Sequence, residues 1–475
     1  MGKKITRIRL IEPKPAGYHV YSRVKLPRLG LPIMGTILKQ KGYDVSIYCQ
    51  DIQEIDAADI ASADLVGISI TTSTAPSGYH LADRCRQKGI PVVIGGPHAT
   101  FVPEEVLQHA DYCIRGEGEM SLPALADALS SDGDLSNIMG LSFIRDGEVH
   151  HNPDSTAVQD LDSLPIPDLT LIKGHQRIKI TPIATSRGCP FNCTFCSVTA
   201  AFGRKYRYRS TANVIEELKL YQNRQVFFYD DNFTADRDRA KELCREMIRH
   251  NLTSGWTAQA RVDVAEDEEL LQLMHQSKCF MLYIGLESVN PETLKEFHKG
   301  QQVEQIERCI KKLHKYGIMV HGMFITGADK DTEQVVRHTT DFALANKIDT
   351  VQFSILTPFP GTELYRKLEE EQRIFSKDWS LYDGHHVVFD PGMMSPYALQ
   401  KETFKAMERF YGWWQCLKLV MRLKFLSAFF RFYGNRQIKR WEASNSEFIA
   451  RMKALGEKAR SIQNGQQQRR FEEKR

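Results

Sequence analysis

The sequence predicts an α/β fold in two consecutive parts, followed by a helical C-terminal tail. Three observations carry this reading. Short strand-like runs alternate with helical patterns between residues 5 and 119, the same alternation restarts after residue 178, and the Asp-, Pro- and Ser-rich stretch 145–180 separates the two. Alternating units of this kind imply parallel sheets covered by helices, and 475 residues suffice for two or three domains with separate cores.

In the first part the strand-like runs are 5–13, 44–50, 65–71, 91–96 and 111–119, with helical patterns such as LPIMGTILKQKG between them. Five such units make a doubly wound, flavodoxin-like domain over 1–144, whose ligands sit beyond the carboxyl ends of the strands. Those ends are small and polar: Ser69, Thr71, Thr72 and Ser73, then Gly95, Gly96, Pro97 and His98, then Gly116, Glu117, Gly118 and Glu119. Glycines let a large flat ligand approach the backbone, and hydroxyls bond amides or phosphates. No GxGxxG follows the first strand, which argues against a dinucleotide.

The second part, 181–395, has strand-like runs at 178–186, 225–232, 256–261, 279–288, 318–327 and 350–358, six parallel units that suggest a partial (β/α)6 barrel. Their ends supply Asp230, Asp231 and Asn232, then Gln259 and Arg261, then Glu287 and Ser288, then Gly327. For Asp230 and Asp231 the competing reading is a cap on the following helix. Arg204, Arg207 and Arg209 in GRKYRYRS are candidates for an anionic ligand, against a solvated face. Tyr206, Tyr283 and His321 are candidates for a radical or proton role, although such residues beside a strand usually pack.

The strongest local signal is TSRGCPFNCTFCS, residues 185–197, with Cys189, Cys193 and Cys196 inside eight residues. The other seven cysteines are scattered singly, so the triplet reads as metal ligands rather than disulfides. Structural zinc needs four ligands and no second pair follows, while a redox CxxC leaves the third cysteine unexplained. An iron–sulfur cluster suits the spacing, and three thiolates on a [4Fe–4S] cube leave one iron open.

CxxxCxxC with Phe195 before the last cysteine resembles the signature loop of the radical SAM superfamily. The resemblance implies that the open iron chelates S-adenosylmethionine (SAM), that Phe195 lies against the adenine, and that reductive cleavage yields a 5′-deoxyadenosyl radical. It further implies that Asp230, Asp231, Asn232, Gln259, Arg261, Glu287, Ser288 and Gly327 surround SAM. The family's Gly-Gly-Glu is replaced here by Asp230-Asp231-Asn232. The first domain resembles the cobalamin-binding domain that precedes many radical SAM enzymes, through RLGLP (28–32, with Leu29 and Gly30), GISITTST, GGPHATFVPEE and RGEGE. The DxHxxG motif of cobalamin mutases is absent, so base-off cobalamin without a protein histidine ligand is implied. Relatives include hopanoid and bacteriochlorophyll methylases and an anaerobic tetrapyrrole cyclase. The implied activity is methylation of an unactivated carbon of a lipophilic substrate. Ring closure, coupling or dehydrogenation is the alternative, and a catalytically dead cobalamin sensor is the rival from another class. A reducing partner such as flavodoxin or ferredoxin follows from the same resemblance.

The remaining segment, 396–475, is expected to be helical with a disordered end. Residues 410–441 hold seven lysines and arginines, ten aromatics and no acidic residue, a pattern suited to an anionic membrane surface. The competing reading is a helix packed on the barrel with a basic outer face. A net charge of +4 is too small to argue for nucleic acid. No signal peptide and no apolar run long enough to span a bilayer are read, so the expected location is cytoplasmic, with peripheral contact at the membrane's inner face.

Overall fold

The computed structural model describes residues 4–18 and 25–455; the expected disordered end lies outside the described residues. The first sheet comprises β1 (Arg7–Glu12), β2 (Asp44–Cys49), β3 (Leu65–Ser69), β4 (Val92–Gly95), β5 (Tyr112–Ile114), β6 (Leu141–Arg145) and β7 (Glu148–His151). Their order is β2-β1-β3-β4-β5-β6-β7, parallel through β5 and antiparallel thereafter. β3 and β4 read as near-continuous apolar runs because both faces are covered. The order switches on either side of β1, so the carboxyl ends of β1 and β3 open onto a crevice.

The β6–β7 hairpin crosses the expected boundary at 144/145. Its turn is Asp146-Gly147, both at positive φ (54° and 83°), the geometry a two-residue hairpin requires. The rest of the connecting stretch also belongs to the first domain's packing. Leu169, Ile172 and Ile178 are buried in its core, and Lys173 N donates to Ile47 O on the edge strand (2.9 Å).

The second sheet comprises β8 (Ile180–Ile183), β11 (Gln225–Phe228), β12 (Gly255–Ala260), β13 (Cys279–Glu287), β14 (Met319–Thr326) and β15 (Thr350–Ile355). These six run parallel in sequence order, an open (β/α)6 barrel. Two short strands, β9 (Ser186–Arg187) and β10 (Arg207–Tyr208), pair antiparallel and bracket the cysteine segment. Side chains of Val226, Trp256, Leu282, Val320 and Phe353 pack outward under the helices, and the alternate positions face the lumen.

The two sheets share a core. Tyr79, Leu107 and Ile94 of the first domain lie in one buried cluster with Leu356, Trp379, Val388 and Leu399 of the second. The C-terminal helix Pro396–Phe410 seals the open edge of the barrel: Tyr411 Oη donates to Val351 O (2.6 Å) and accepts from Val351 N (2.9 Å). Helices Trp413–Met421 and Phe425–Ser444 follow as a hairpin on that side. No helix among the described residues is long and apolar enough to cross a membrane.

Candidate active site

A cavity of about 340 Å3 lies between the carboxyl ends of the two sheets. One wall is the backbone of Gly30, Gly95-Gly96 and Gly116 to Gly118, backed by Leu10, Leu29, Met34 and Ile114. The other is Ser186, Arg187, Phe202, Tyr229 and Asp231 of the barrel. Glycine is required at position 96: φ is +101°, and a Cβ there would lie 2.6 Å from Ile70 O. Thr100 ties two of the loops together, accepting from Gly116 N and donating to Gly96 O (both 3.0 Å).

Of the first-domain residues singled out from sequence, Leu29, Gly30, Ser69, Gly95, Gly96, Pro97, Gly116, Glu117, Gly118 and Glu119 line this cavity. Thr71, Thr72, Ser73 and His98 do not line it. Thr71 to Thr74 form a self-capped turn, with Thr71 N donating to Thr74 Oγ1 (2.9 Å). His98 is buried in the domain interface, its Nδ1 3.3 Å from Thr72 Oγ1 and its ring edge-on to Trp379 at 5.1 Å. It satisfies the loop, as a packing histidine does.

The cysteine segment leaves β9 through Gly188, whose φ is +82° and whose Cβ would sit 2.3 Å from Lys205 O. The three thiols are half-buried and unpaired with one another. Cys196 N donates to Cys193 O (3.1 Å), Leu364 N to Thr194 O (3.1 Å), and Phe195 packs edge-on against Phe297 at 4.8 Å. The Arg261 guanidinium lies 3.6 Å over the ring of Phe191 and donates to Lys299 O. Among the described residues no three His, Cys, Asp or Glu side chains converge on one ion. A cubane attaches each thiolate to a different iron, so a segment wrapping one face of a cube fits this donor set and a single-ion site does not. Burial pushes the Cys196 thiol up to about 11. Gly188→Ala is expected to displace the segment and cut iron loading at least tenfold at unchanged cobalamin uptake; iron and sulfide analysis after reconstitution checks it.

The barrel-end residues divide sharply. Asp231 borders the cavity and accepts from the Gly188 N–H; burial and then the Asp230 charge push its carboxyl up to about 6. Asp230 is fully buried and spent on structure, accepting from Thr185 N (2.7 Å), Thr185 Oγ1 (2.5 Å) and Ser186 N (2.8 Å). Neither caps the next helix; Asp236 does, accepting from Arg239 N (3.0 Å). Asn232 accepts from Thr234 Oγ1, and Gln259 Nε2 lies 3.5 Å from Asp230 O. Glu287, at φ +60°, forms a buried pair with Lys299 (2.6 Å) over Gly285, where a Cβ would strike both partners. Ser288 Oγ accepts from Asn290 N, and Gly327 N donates to Asp331 Oδ2 (3.0 Å).

Arg207 and Arg209 are neither solvated nor free for a ligand. Arg209 pairs with Glu217, and Arg207 holds Glu117 with two bonds (2.6 and 3.0 Å), whereas Arg204 is exposed. Arg187 bridges to Glu117 (3.2 Å) and Glu119 (2.6 Å). The RGEGE loop is thereby clamped onto the two strands that bracket the cysteines. Arg28, Met34, Arg187, Phe202 and Tyr229 also line the cavity without having been singled out from sequence; the signals were the place of Arg28 in RLGLP and the adjacency of Arg187 to the cysteine motif.

The rings of Tyr283 and His321 meet in the barrel lumen at 4.5 Å, tilted by 41°, and Tyr206 lies beside Arg239. Burial pushes the His321 imidazole down to about 4, and its Nδ1 meets Thr350 Oγ1 at 2.8 Å. His321 is neutral at pH 7. The unfolded chain binds the proton first, so this histidine's contribution to stability is complete above about 6.5. It declines as pH falls through 4, by about 3 kcal/mol at the limit. Unfolding titrations of wild type and His321→Gln should show that acid loss in the wild type alone.

Three buried polar atoms on the cavity wall lack partners among the described residues, the Arg28 Nη1 donor, the Glu119 Oε2 acceptor and the Ser186 hydroxyl. A flat ligand fringed with amides offers both complements, and the glycine wall gives it backbone to lie on. The residues therefore fit a corrinoid.

Comparison with known proteins agrees with the geometry. Residues 20–126 match the B12 binding domain and residues 183–343 the Radical SAM superfamily. The chain is 32% identical to an uncharacterised methyltransferase of Pyrococcus horikoshii, over 81% of this chain and 87% of that one. It is 29% identical to the bacteriochlorophyllide d C-12(1)-methyltransferase of Chlorobaculum tepidum, over 80% and 81%. The fold is shared with the radical SAM methyltransferase TsrM of Kitasatospora setae, solved with cobalamin and a [4Fe–4S] cluster, at TM-score 0.66 and 20% identity over 77% and 78%. A cysteine-bearing barrel facing a glycine-walled sheet edge defines a two-cofactor radical enzyme, and the chain belongs to the cobalamin-binding radical SAM enzymes. Its cofactors are a [4Fe–4S] cluster, SAM and cobalamin.

Proposed function

We propose that the protein is a C-methyltransferase acting on an unactivated carbon of a lipophilic substrate: a lipid, a hopanoid or a tetrapyrrole. The observation that carries this reading is a cavity bounded both by the glycine loops and by the barrel wall that leads into the cysteine segment. The two methyltransferase relatives support methyl transfer, and the name of the second, a bacteriochlorophyllide d methyltransferase, supports a tetrapyrrole among the lipophilic substrates.

When bound, the cluster with SAM supplies hydrogen abstraction and cobalamin supplies methyl-transfer chemistry. The chain's own part is positional. Cys189, Cys193 and Cys196 hold the cluster. Asp231, the barrel-end carboxylate at the cavity, is placed to accept from an ammonium. Arg28 and Glu119 bond amides from opposite polarities, and the glycine loops let the ligand lie flat. The Glu117 clamp fixes the distance between the two walls, and the apolar lining excludes water. A flavodoxin or ferredoxin would supply electrons. The reading places the enzyme in the cytoplasm, in peripheral contact with the membrane through 410–441.

The test is anaerobic turnover with SAM carrying a deuterated methyl group and separate lipid, hopanoid and tetrapyrrole fractions. The expected result is one labelled methyl in an organic-phase product. Turnover to an unlabelled cyclised or dehydrogenated product would replace methyl transfer with the alternative chemistry. Label confined to a water-soluble product would remove the lipophilic substrate.

A further inference from the structure

The two helices after Tyr411 are apolar on both sides. Their inner side is buried on the barrel through Cys416, Ala428, Ile438 and Trp441. Gly434 is the point of closest approach, where a Cβ would lie 2.6 Å from the Tyr411 ring. The outer side, which in an ordinary surface helix is polar, is apolar too. Trp413, Trp414, Leu423, Phe425 and Phe429 are 69, 75, 75, 62 and 61% exposed, and Leu417, Met421 and Leu426 stand among them. The spacing 413, 417, 420 and 425, 429, 432 puts one stripe on each helix, and Leu423 sits in the turn between them.

A second feature adjoins this face. A cavity of about 190 Å3 lies between the hairpin and the loop before β15, lined by Lys347, Lys418, Arg422, Lys424 and Arg431. Among the described residues none of these five forms an ion pair. Arg431 is 5% exposed, donates to Phe410 O and Ile348 O (both 3.1 Å), and its Nε is buried without a partner. The one carboxylate on the wall, Asp349, already accepts from Val320 N (3.0 Å) and pairs with His314 (2.9 Å). Lys418, Arg422 and Lys424 belong both to this cavity and to the tip of the hairpin.

We infer that this hairpin lies in the plane of a bilayer rich in anionic phospholipid, with the exposed aromatics among the acyl chains and the cationic cavity holding a headgroup phosphate. Charge complementarity selects this occupant. A second copy would bring Lys418, Arg422 and Lys424 against their own counterparts with no acidic residue between 410 and 441 to meet them. An anionic bilayer supplies the missing charge and solvates the stripe at once. The inference deepens the proposed function, resting on its lipophilic substrate for purpose: the hairpin would bring the enzyme to the phase that holds that substrate. The site itself needs neither cluster nor cobalamin.

The full chain is mixed with vesicles of phosphatidylcholine alone, or of equal phosphatidylcholine and phosphatidylglycerol, and followed by co-sedimentation. Binding at least tenfold tighter to the anionic vesicles, weakening with salt, is expected. Lys418→Glu, Arg422→Glu and Lys424→Glu together should cost on the order of a hundredfold. Trp414→Asp with Phe429→Asp should remove binding to both vesicles. A wild-type measurement stands independently of how the variants fold: Trp256, Trp379 and Trp441 are buried, so quenching by brominated lipid reports Trp413 and Trp414. No binding, equal binding to both vesicles, unquenched tryptophan, or a concentration-dependent dimer that shields Trp414 without vesicles would overturn the inference. Millimolar inorganic phosphate occupying the cavity of a chain that ignores vesicles would do the same. SAM cleavage in lipid-free solution is read alongside. Cleavage intact with vesicle binding absent removes the docking face alone, and vesicle binding intact without methyl transfer removes the catalytic reading alone.

Discussion

Cys193→Ala is expected to abolish reductive cleavage of SAM, by at least a thousandfold, while cobalamin uptake stays near the wild-type level. The separation follows from where the residues sit. Cys193 is carried on the segment after Gly188, fastened by Leu364 N and by the Phe195–Phe297 contact on the barrel side. The glycine wall and the unpartnered Arg28 and Glu119 atoms belong to the other domain. Loss of one of three thiolates leaves two, too few to hold a cube with only one open iron. Iron analysis, corrinoid absorbance and deoxyadenosine yield, taken on one preparation, check the prediction. Joint loss of cluster and corrinoid would mean that the two walls are not separable.

Glu117→Ala carries the second large effect. Glu117 accepts from Arg207 twice, from Arg187 at 3.2 Å and from Val158 N at 2.7 Å. Burial raises its carboxyl, but the Arg207 hydrogen bond and the Arg187 charge together outweigh this and hold it below the ordinary range. Removing the carboxylate strands buried guanidinium groups, which costs about 3–5 kcal/mol. Because the clamp joins the first domain to β9 and β10, the loss should also loosen the cavity. The unfolding midpoint should fall, and bound cobalamin should wash out faster at temperatures where the variant is still folded. Replacing Arg207 by methionine together with Glu117→Leu, with Arg187 left on Glu119, should restore much of the stability without restoring corrinoid retention. Denaturant unfolding with and without cobalamin distinguishes the two effects.

The parts most legible in the sequence were those that rest on periodicity and spacing. Near-continuous apolar runs marked the buried parallel strands, and the cysteine triplet marked its own chemistry. The β6–β7 hairpin is hard to read from sequence because β7, Glu148–His151, is exposed along its whole length and shows no alternation. The Asp146-Gly147 pair was its signal. Asp230 and Asp231 are adjacent in sequence, yet one turns inward to Thr185 and the other borders the cavity, a difference of orientation that residue type does not encode. Thr71, Thr72, Ser73 and His98 sit at strand ends as a ligand site requires, but the second domain packs against them through Trp379. That contact joins residues some 280 positions apart. In the tail, sequence offered membrane contact and barrel packing as rivals. The structure has the hairpin packed on one face and leaves aromatic side chains exposed on the other.

The most direct test of the central claim is the product ratio from SAM in the anaerobically reconstituted protein, with dithionite, hydroxocobalamin and a substrate accepted in the labelling assay. The account predicts 5′-deoxyadenosine and S-adenosylhomocysteine in equal amounts, matched by one methylated product. Deoxyadenosine without S-adenosylhomocysteine, at full corrinoid loading and with substrate consumed, would contradict it.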